Sequence, residues 1–215
     1  MIEARALRVR FGAAEVVRGV DIASPPGTAV GLVGPNGAGK TTTLKAIMGL
    51  YRHEGRVLLD GRDITHLGPR QRAATGIGYS PEDRGLFPSL TVRENLLVPI
   101  KALHLPQERL EVALQYVEEV KRLLDRKAGQ LSGGQQKLVA LARAIVVGRR
   151  ALLLDEVFEG VAPKLADTIK LYIREYIERE RAAAILAEST TTYLKGLATT
   201  IYHIDRGTIT ATKNL

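Results

Sequence analysis

The chain of 215 residues contains no cysteine, so disulfides and thiolate metal sites are excluded. Its four histidines, His53, His66, His104 and His203, lie far apart and form no metal-ligand spacing. Aromatic residues make up only 5% of the chain and do not interleave with a basic stripe. That argues against single-stranded nucleic-acid binding, because such grooves stack bases on aromatic faces. No apolar run approaches the roughly 18 residues of a transmembrane helix, and no apolar signal segment follows Met1-Ile2-Glu3-Ala4-Arg5. A soluble intracellular location is the expectation. Internal repeats and low-complexity segments are absent, and so is any long block of like charge. The net charge of +8 is spread over scattered Arg and Lys residues. It fits a solvated surface with modest attraction for an anionic membrane, and no nucleic-acid partner is expected.

What is present is a globular composition, 45% hydrophobic and 25% charged. The most informative stretch is Gly34-Pro35-Asn36-Gly37-Ala38-Gly39-Lys40-Thr41. Its glycines allow successive backbone N–H groups to turn inward around a polyphosphate. Lys40 supplies a point charge for the β- and γ-phosphates, and the Thr41 hydroxyl can hold Mg²⁺. The setting agrees: residues 28–33 form an apolar run expected as a buried strand, and a helix should open at Thr42, adding its dipole to the site. Nucleoside triphosphate binding follows.

Along the chain, strands are expected at 6–11, 16–22, 55–61, 76–80, 151–154, 182–187, 200–204 and 208–210. Helices are expected at 69–75, from Thr91, with Thr91 or Ser89 as cap and Glu94 three residues after Thr91, and at 134–147 and 163–179. Leu110, Leu114, Val117, Val120 and Leu124 recur at helical spacing and predict one helix over 107–124. The region from about 88 to 133 is therefore a candidate helical subdomain inserted in an α/β core.

Leu152-Leu153-Leu154-Asp155-Glu156 is an apolar strand ending in two acids. Ligands of parallel sheets bind beyond the carboxyl ends of the strands. Asp155 is placed to complete a Mg²⁺ shell with Thr41, and Glu156 to orient and deprotonate a water attacking the γ-phosphate. Some twenty residues earlier, Leu131-Ser132-Gly133-Gly134-Gln135-Gln136 starts a helix with Ser132 as N-cap and bare backbone N–H groups at its glycines.

These three motifs in this order resemble the ATP-binding subunits of ABC transporters, over nearly the whole chain. The fold implied is α/β: a P-loop NTPase core of ABC ATPase type with N-terminal antiparallel strands and an inserted helical subdomain. One domain would span 1–215, with its core at 1–87 and 134–215 and the subdomain at about 88–133. The resemblance further implies a head-to-tail dimer, of two copies or with a paralogous ATPase subunit. ATP would sit between Gly34, Pro35, Asn36, Gly37, Ala38, Gly39, Lys40, Thr41 and Thr42 of one subunit and Ser132, Gly133, Gly134 and Gln135 of the other. Phe11 matches the position whose ring stacks on adenine. Glu82 stands where most of the family has a Gln that joins the Mg²⁺ site to a transmembrane partner. Metal contacts would come from Thr41, Asp155 and Glu82, and catalysis from Glu156 and Lys40, with Ser189 at the place of the family's γ-phosphate His. Val157 stands where Pro is usual.

The 81–88 and 156–163 segments are most similar to the ATPase subunits of branched-chain amino-acid importers, although subunits for lipopolysaccharide export share some of these words. The resemblance implies a transmembrane permease as partner and indirect attachment to the cytoplasmic face of the membrane. Two other classes stand beside this reading. A non-transport ABC ATPase usually carries two cassettes or long coiled-coil insertions, and neither is here. A weakly hydrolysing regulatory module is suggested by Ser189 and opposed by intact Lys40, Asp155 and Glu156.

Overall fold

The structure, a computed structural model, describes residues 1–215. The chain opens with a hairpin of β1 (Ile2–Phe11) and β2 (Ala14–Ser24), turned at Gly12. β3 (Ala29–Val33) leads into α1 (Lys40–Ile47), and β4 (Glu54–Leu59) and the short β5 (Arg62–Asp63) flank an Asp60-Gly61 turn. Both turn residues have positive φ, 51° and 78°, as a tight hairpin requires. α2 (Pro69–Ala74) and β6 (Ile77–Ser80) follow, then α3 (Val92–Leu103), α4 (Glu108–Tyr116) and α5 (Gly133–Val147). The chain closes with β7 (Ala151–Asp155), α6 (Pro163–Glu180), β8 (Ala183–Glu188), β9 (Ala198–Asp205) and β10 (Thr208–Asn214).

Two sheets result. β2-β1-β4-β5 is antiparallel, and β10-β9-β3-β8-β7-β6 is parallel except for the last hairpin. β3, β7 and β8 are buried along their whole length, which is why their sequences are apolar throughout rather than alternating. Their side chains divide between two cores. Val30, Leu32, Leu153 and Ile185 face α1 and the antiparallel sheet, while Leu152, Leu154 and Leu186 face the layer of α3 to α6. Truncating one such residue to Ala would cost about 2–5 kcal/mol. The parallel register brings the carboxyl ends of β3, β6, β7 and β8 to one edge, and the site forms there.

The expected single helix over 107–124 is not formed. α4 stops at Tyr116, Val117 leaves helical geometry (φ −117°, ψ 69°), and Glu118–Leu123 winds as a 3₁₀ helix. Val117, Val120 and Leu123 are all buried, and their spacing of three is the repeat of the tighter helix, in which i and i+3 eclipse. The apolar rhythm was right about burial and wrong about the winding. The other elements run within a few residues of expectation; Thr91 caps α3 in a box with Glu94, and Ser132 caps α5 as expected, with Gln135 closing a second box that the sequence reading did not foresee.

Candidate functional site

The Gly34–Thr41 segment leaves the end of β3 and runs into α1, so the helix N-terminus faces the loop's hollow. Gly34 cannot carry a side chain: a Cβ there would lie 2.1 Å from the Ile204 carbonyl oxygen. Gly39 caps α1 at φ 108°, a conformation other residues avoid. The Gly207 N–H donates to the Ala38 carbonyl (2.9 Å), pinning the last hairpin under the loop. Ala38 is consequently buried, while Asn36, Gly37, Gly39, Lys40, Thr41 and Thr42 line an open cleft of about 330 Å³ with Val16, Glu82 and Glu156. A larger cleft of about 760 Å³, between the first and last hairpins, holds none of the expected site residues.

Lys40 folds back over the hollow. Its ammonium donates to the carbonyls of Gly34 (2.9 Å) and Pro35 (3.3 Å) and lies 3.3 Å from Glu156 Oε1 and 3.4 Å from Ser189 Oγ. The Ser189 hydroxyl also lies 3.2 Å from Asn36 Oδ1 and 3.2 Å from Glu156 Oε1. Four residues from three distant parts of the chain thus meet at one point. Thr41 Oγ1 donates to Asp155 Oδ1 (3.2 Å) and Tyr79 OH to Asp155 Oδ2 (3.4 Å).

Asp155 is 1% exposed and its hydrogen-bond partners are neutral. Burial pushes its carboxyl up to about 6, against the hydrogen bond from Thr41. A divalent cation would relieve that buried charge, and the hard oxygen donors of Thr41 and Asp155 suit Mg²⁺. Glu82, Glu156 and Glu159 place carboxylate oxygens within 4.8 Å of one another nearby. Burial also raises Glu156, but its hydrogen bond with Glu159 and the Lys40 ammonium outweigh that and hold it below its usual range. The same bond holds the Glu159 carboxyl above its usual range.

Other expected residues lie elsewhere. Ser132, Gly133, Gly134 and Gln135 stand at the N-terminus of α5 and do not line the cleft. The Phe11 ring, 48% exposed, meets Tyr51 edge-on at 5.1 Å and lies outside the residues lining the cleft. Several contributors were missed. Tyr79 could have been found from the parallel pairing of β6 with β7, which sets its residues beside the acidic strand. Glu159, Lys137 and Glu188 carried no local signal, since acids at element ends and a lysine on a helix are ordinary.

The profile of the ABC transporter family, "ABC transporter", matches residues 17–159. The lipopolysaccharide export system ATP-binding protein LptB of Haemophilus influenzae is 38% identical over 191 residues, covering 86% of this chain and 78% of that one. The "Probable branched-chain amino acid transport ATP-binding protein LivF" of Archaeoglobus fulgidus is 41% identical over 141 residues, 64% of this chain and 60% of that one. Among solved structures, an ATP-binding cassette of an ABC transporter in its ADP conformation superposes with TM-score 0.85 at 28% identity, covering 100% of this chain and 91% of that one. A dimeric bacterial ABC transporter cassette reaches TM-score 0.88 at 23% identity and shares the fold. The chain belongs to the ABC transporter family, as its ATP-binding subunit type. It is an ATPase that uses ATP with Mg²⁺ and couples hydrolysis to transport.

Proposed function

We propose that this chain energises a membrane permease that imports branched-chain or related amino acids. The meeting of Lys40, Thr41, Asp155, Glu156 and Ser189 at one cleft carries the catalytic part of the reading. Backbone N–H groups from Asn36 to Thr42 and the Lys40 ammonium hold the phosphates. Thr41 and Asp155, with Glu82 beside them, would hold Mg²⁺, which would supply neutralising charge on the transferring phosphoryl group. Glu156 orients the attacking water and accepts its proton. Lys40 exchanges part of its contact with Glu156 for phosphate, and Ser189 keeps Glu156 tied to the loop. Phe11 offers its exposed face to adenine.

Ser132 to Gln135 do not line the cleft of their own phosphate loop, and in this reading they complete the site of a second subunit, a copy or a paralogue. Residues 1–215 act as one ATP-binding domain with a helical subdomain at about 88–133. No helix is long and apolar enough to cross a membrane, and attachment at the cytoplasmic face runs through the permease. The 82–95 segment is the contact: Phe87 is 47% exposed, and the buried Asn95 side chain fixes the turn through the Phe87 N–H and the carbonyls of Phe87 and Thr91.

The cargo reading is supported by the 81–88 and 156–163 segments and by the likeness to LivF. A second reading, lipid export, is favoured by the longer match to LptB. Co-expression with permeases of each class, followed by co-purification and assay of ATP hydrolysis, separates them. The amino-acid reading expects a stable complex and raised hydrolysis with that class alone. A complex only with the lipid permease overturns it. Dimerisation is tested by light scattering of Glu156→Gln with ATP, alone and with a paralogous subunit, and a monomer in every mixture counts against it.

A further inference from the structure

Two buried ionisable side chains take no part in the chemistry described above. Lys137, on α5, is 7% exposed, and Glu188, at the end of β8, is 6% exposed. Both meet the short turn that follows β7. The Lys137 ammonium donates to the backbone carbonyl of Glu156 at 2.5 Å. The Glu188 carboxyl accepts from the Phe158 N–H at 3.3 Å and also faces the Val157 N–H. Between these anchors, Glu156 holds φ +49°, the left-handed region that a residue with a Cβ avoids. Such a conformation persists only where its surroundings over-determine it.

Here they do so from three sides. The Glu156 N–H donates to the Ala187 carbonyl (2.8 Å), its carbonyl is held by Lys137, and the Phe158 N–H two residues on is held by Glu188. The side-chain consequence is direct. Turning Glu156 into the left-handed region sends its carboxylate back over the phosphate loop, to Lys40 and Ser189, rather than onward along the β7 axis. Lys137 and Glu188 come from different elements, so the brace also joins α5 and β8 to the site.

We propose that Lys137 and Glu188 form a buried brace that holds the Glu156–Phe158 turn and are positioning residues for the Glu156 carboxylate. The proposal rests on Glu156 being the group that activates water. Lys137→Met keeps length and apolar bulk but removes the donor. Glu188→Ala removes the acceptor, and Glu188→Gln keeps it. In steady-state ATP hydrolysis, Lys137→Met and Glu188→Ala should lower kcat by about tenfold or more, because a small misplacement of a reacting group is costly. KM for ATP and the melting-temperature rise with Mg-ATP should stay near wild type. Lys137→Arg and Glu188→Gln should restore most of kcat.

A cycle with Glu156→Gln gives the sharper result. A residue acting through Glu156 has nothing left to lose once that carboxylate is gone, so Lys137→Met in the Glu156→Gln background should cost no further rate. Full kcat in folded Lys137→Met overturns the brace. So does a kcat loss that adds fully to that of Glu156→Gln, or one matched by an equal loss of ATP binding. If Lys137→Met does not fold, Glu188→Ala decides by the same criteria. Failure of the underlying reading looks different: Glu156→Gln itself would then hydrolyse ATP at the wild-type rate.

Discussion

Removing the Ser189 hydroxyl should cost far less than neutralising Glu156. That hydroxyl has one proton, which it gives to Asn36 Oδ1 or Glu156 Oε1, each 3.2 Å away, and it accepts from Lys40 at 3.4 Å. Hydrogen bonds to charged groups are worth about 1.5–3 kcal/mol when protected and about 0.5–1.5 kcal/mol when neutral. Ser189 is exposed and its distances are long, so solvent replaces much of what Ser189→Ala removes. A loss of about 1 kcal/mol corresponds to about a fivefold fall in rate. Glu156→Gln removes general-base assistance, worth about 10²–10⁴ in rate. The two variants should therefore differ by at least about twentyfold, the ratio of the lower bound to the Ser189 effect. Steady-state ATP hydrolysis at saturating Mg-ATP measures both. A Ser189→Ala loss as deep as that of Glu156→Gln would refute the ranking and make the hydroxyl itself a catalytic group.

Mg-ATP at about a hundred times its dissociation constant should stabilise the chain by about 2.7 kcal/mol, read as a rise in melting temperature of about 5–10 °C. Lys40→Ala should lose most of that shift, and a wild type without it would sink the assignment of the loop. Arg72 is buried and donates to the carbonyls of Ala46, Ile47, Thr65 and Leu67, closing the C-terminus of α1. Arg72→Ala strands these acceptors and should lower stability in urea by about 3 kcal/mol or more; a change below about 1 kcal/mol would contradict it. Burial pushes the Glu188 carboxyl up to about 8 from its ordinary 4.5. The folded state thus binds the proton more tightly than the unfolded chain. The stability this gives is complete below about pH 4 and is lost as pH rises to about 8, with a limiting slope of about 1.4 kcal/mol per pH unit. Glu188→Gln should flatten that part of the profile in urea titrations at pH 5 and pH 8, and an unchanged slope would exclude Glu188 as its source.

The sequence alone determined the local features whose physics is local. Glycine spacing before Lys40 and Thr41, an apolar strand ending in Asp155 and Glu156, and the helix caps at Thr91 and Ser132 each follow from a few adjacent residues. The order of strands and helices was legible because buried parallel strands must be apolar throughout and helices carry a period near 3.6. The winding of residues 118–123 was not, since a spacing of three serves both helical forms and packing of Val117, Val120 and Leu123 chose between them. Tertiary structure alone brought Ser189, Asn36, Lys40 and Glu156 to one point across more than a hundred residues of chain. It also decided the left-handed turn at Glu156 and the burial of Lys137 and Glu188 against it. A carboxylate's direction and a lysine's partner depend on which elements pack together, and no local run of residues encodes that neighbour.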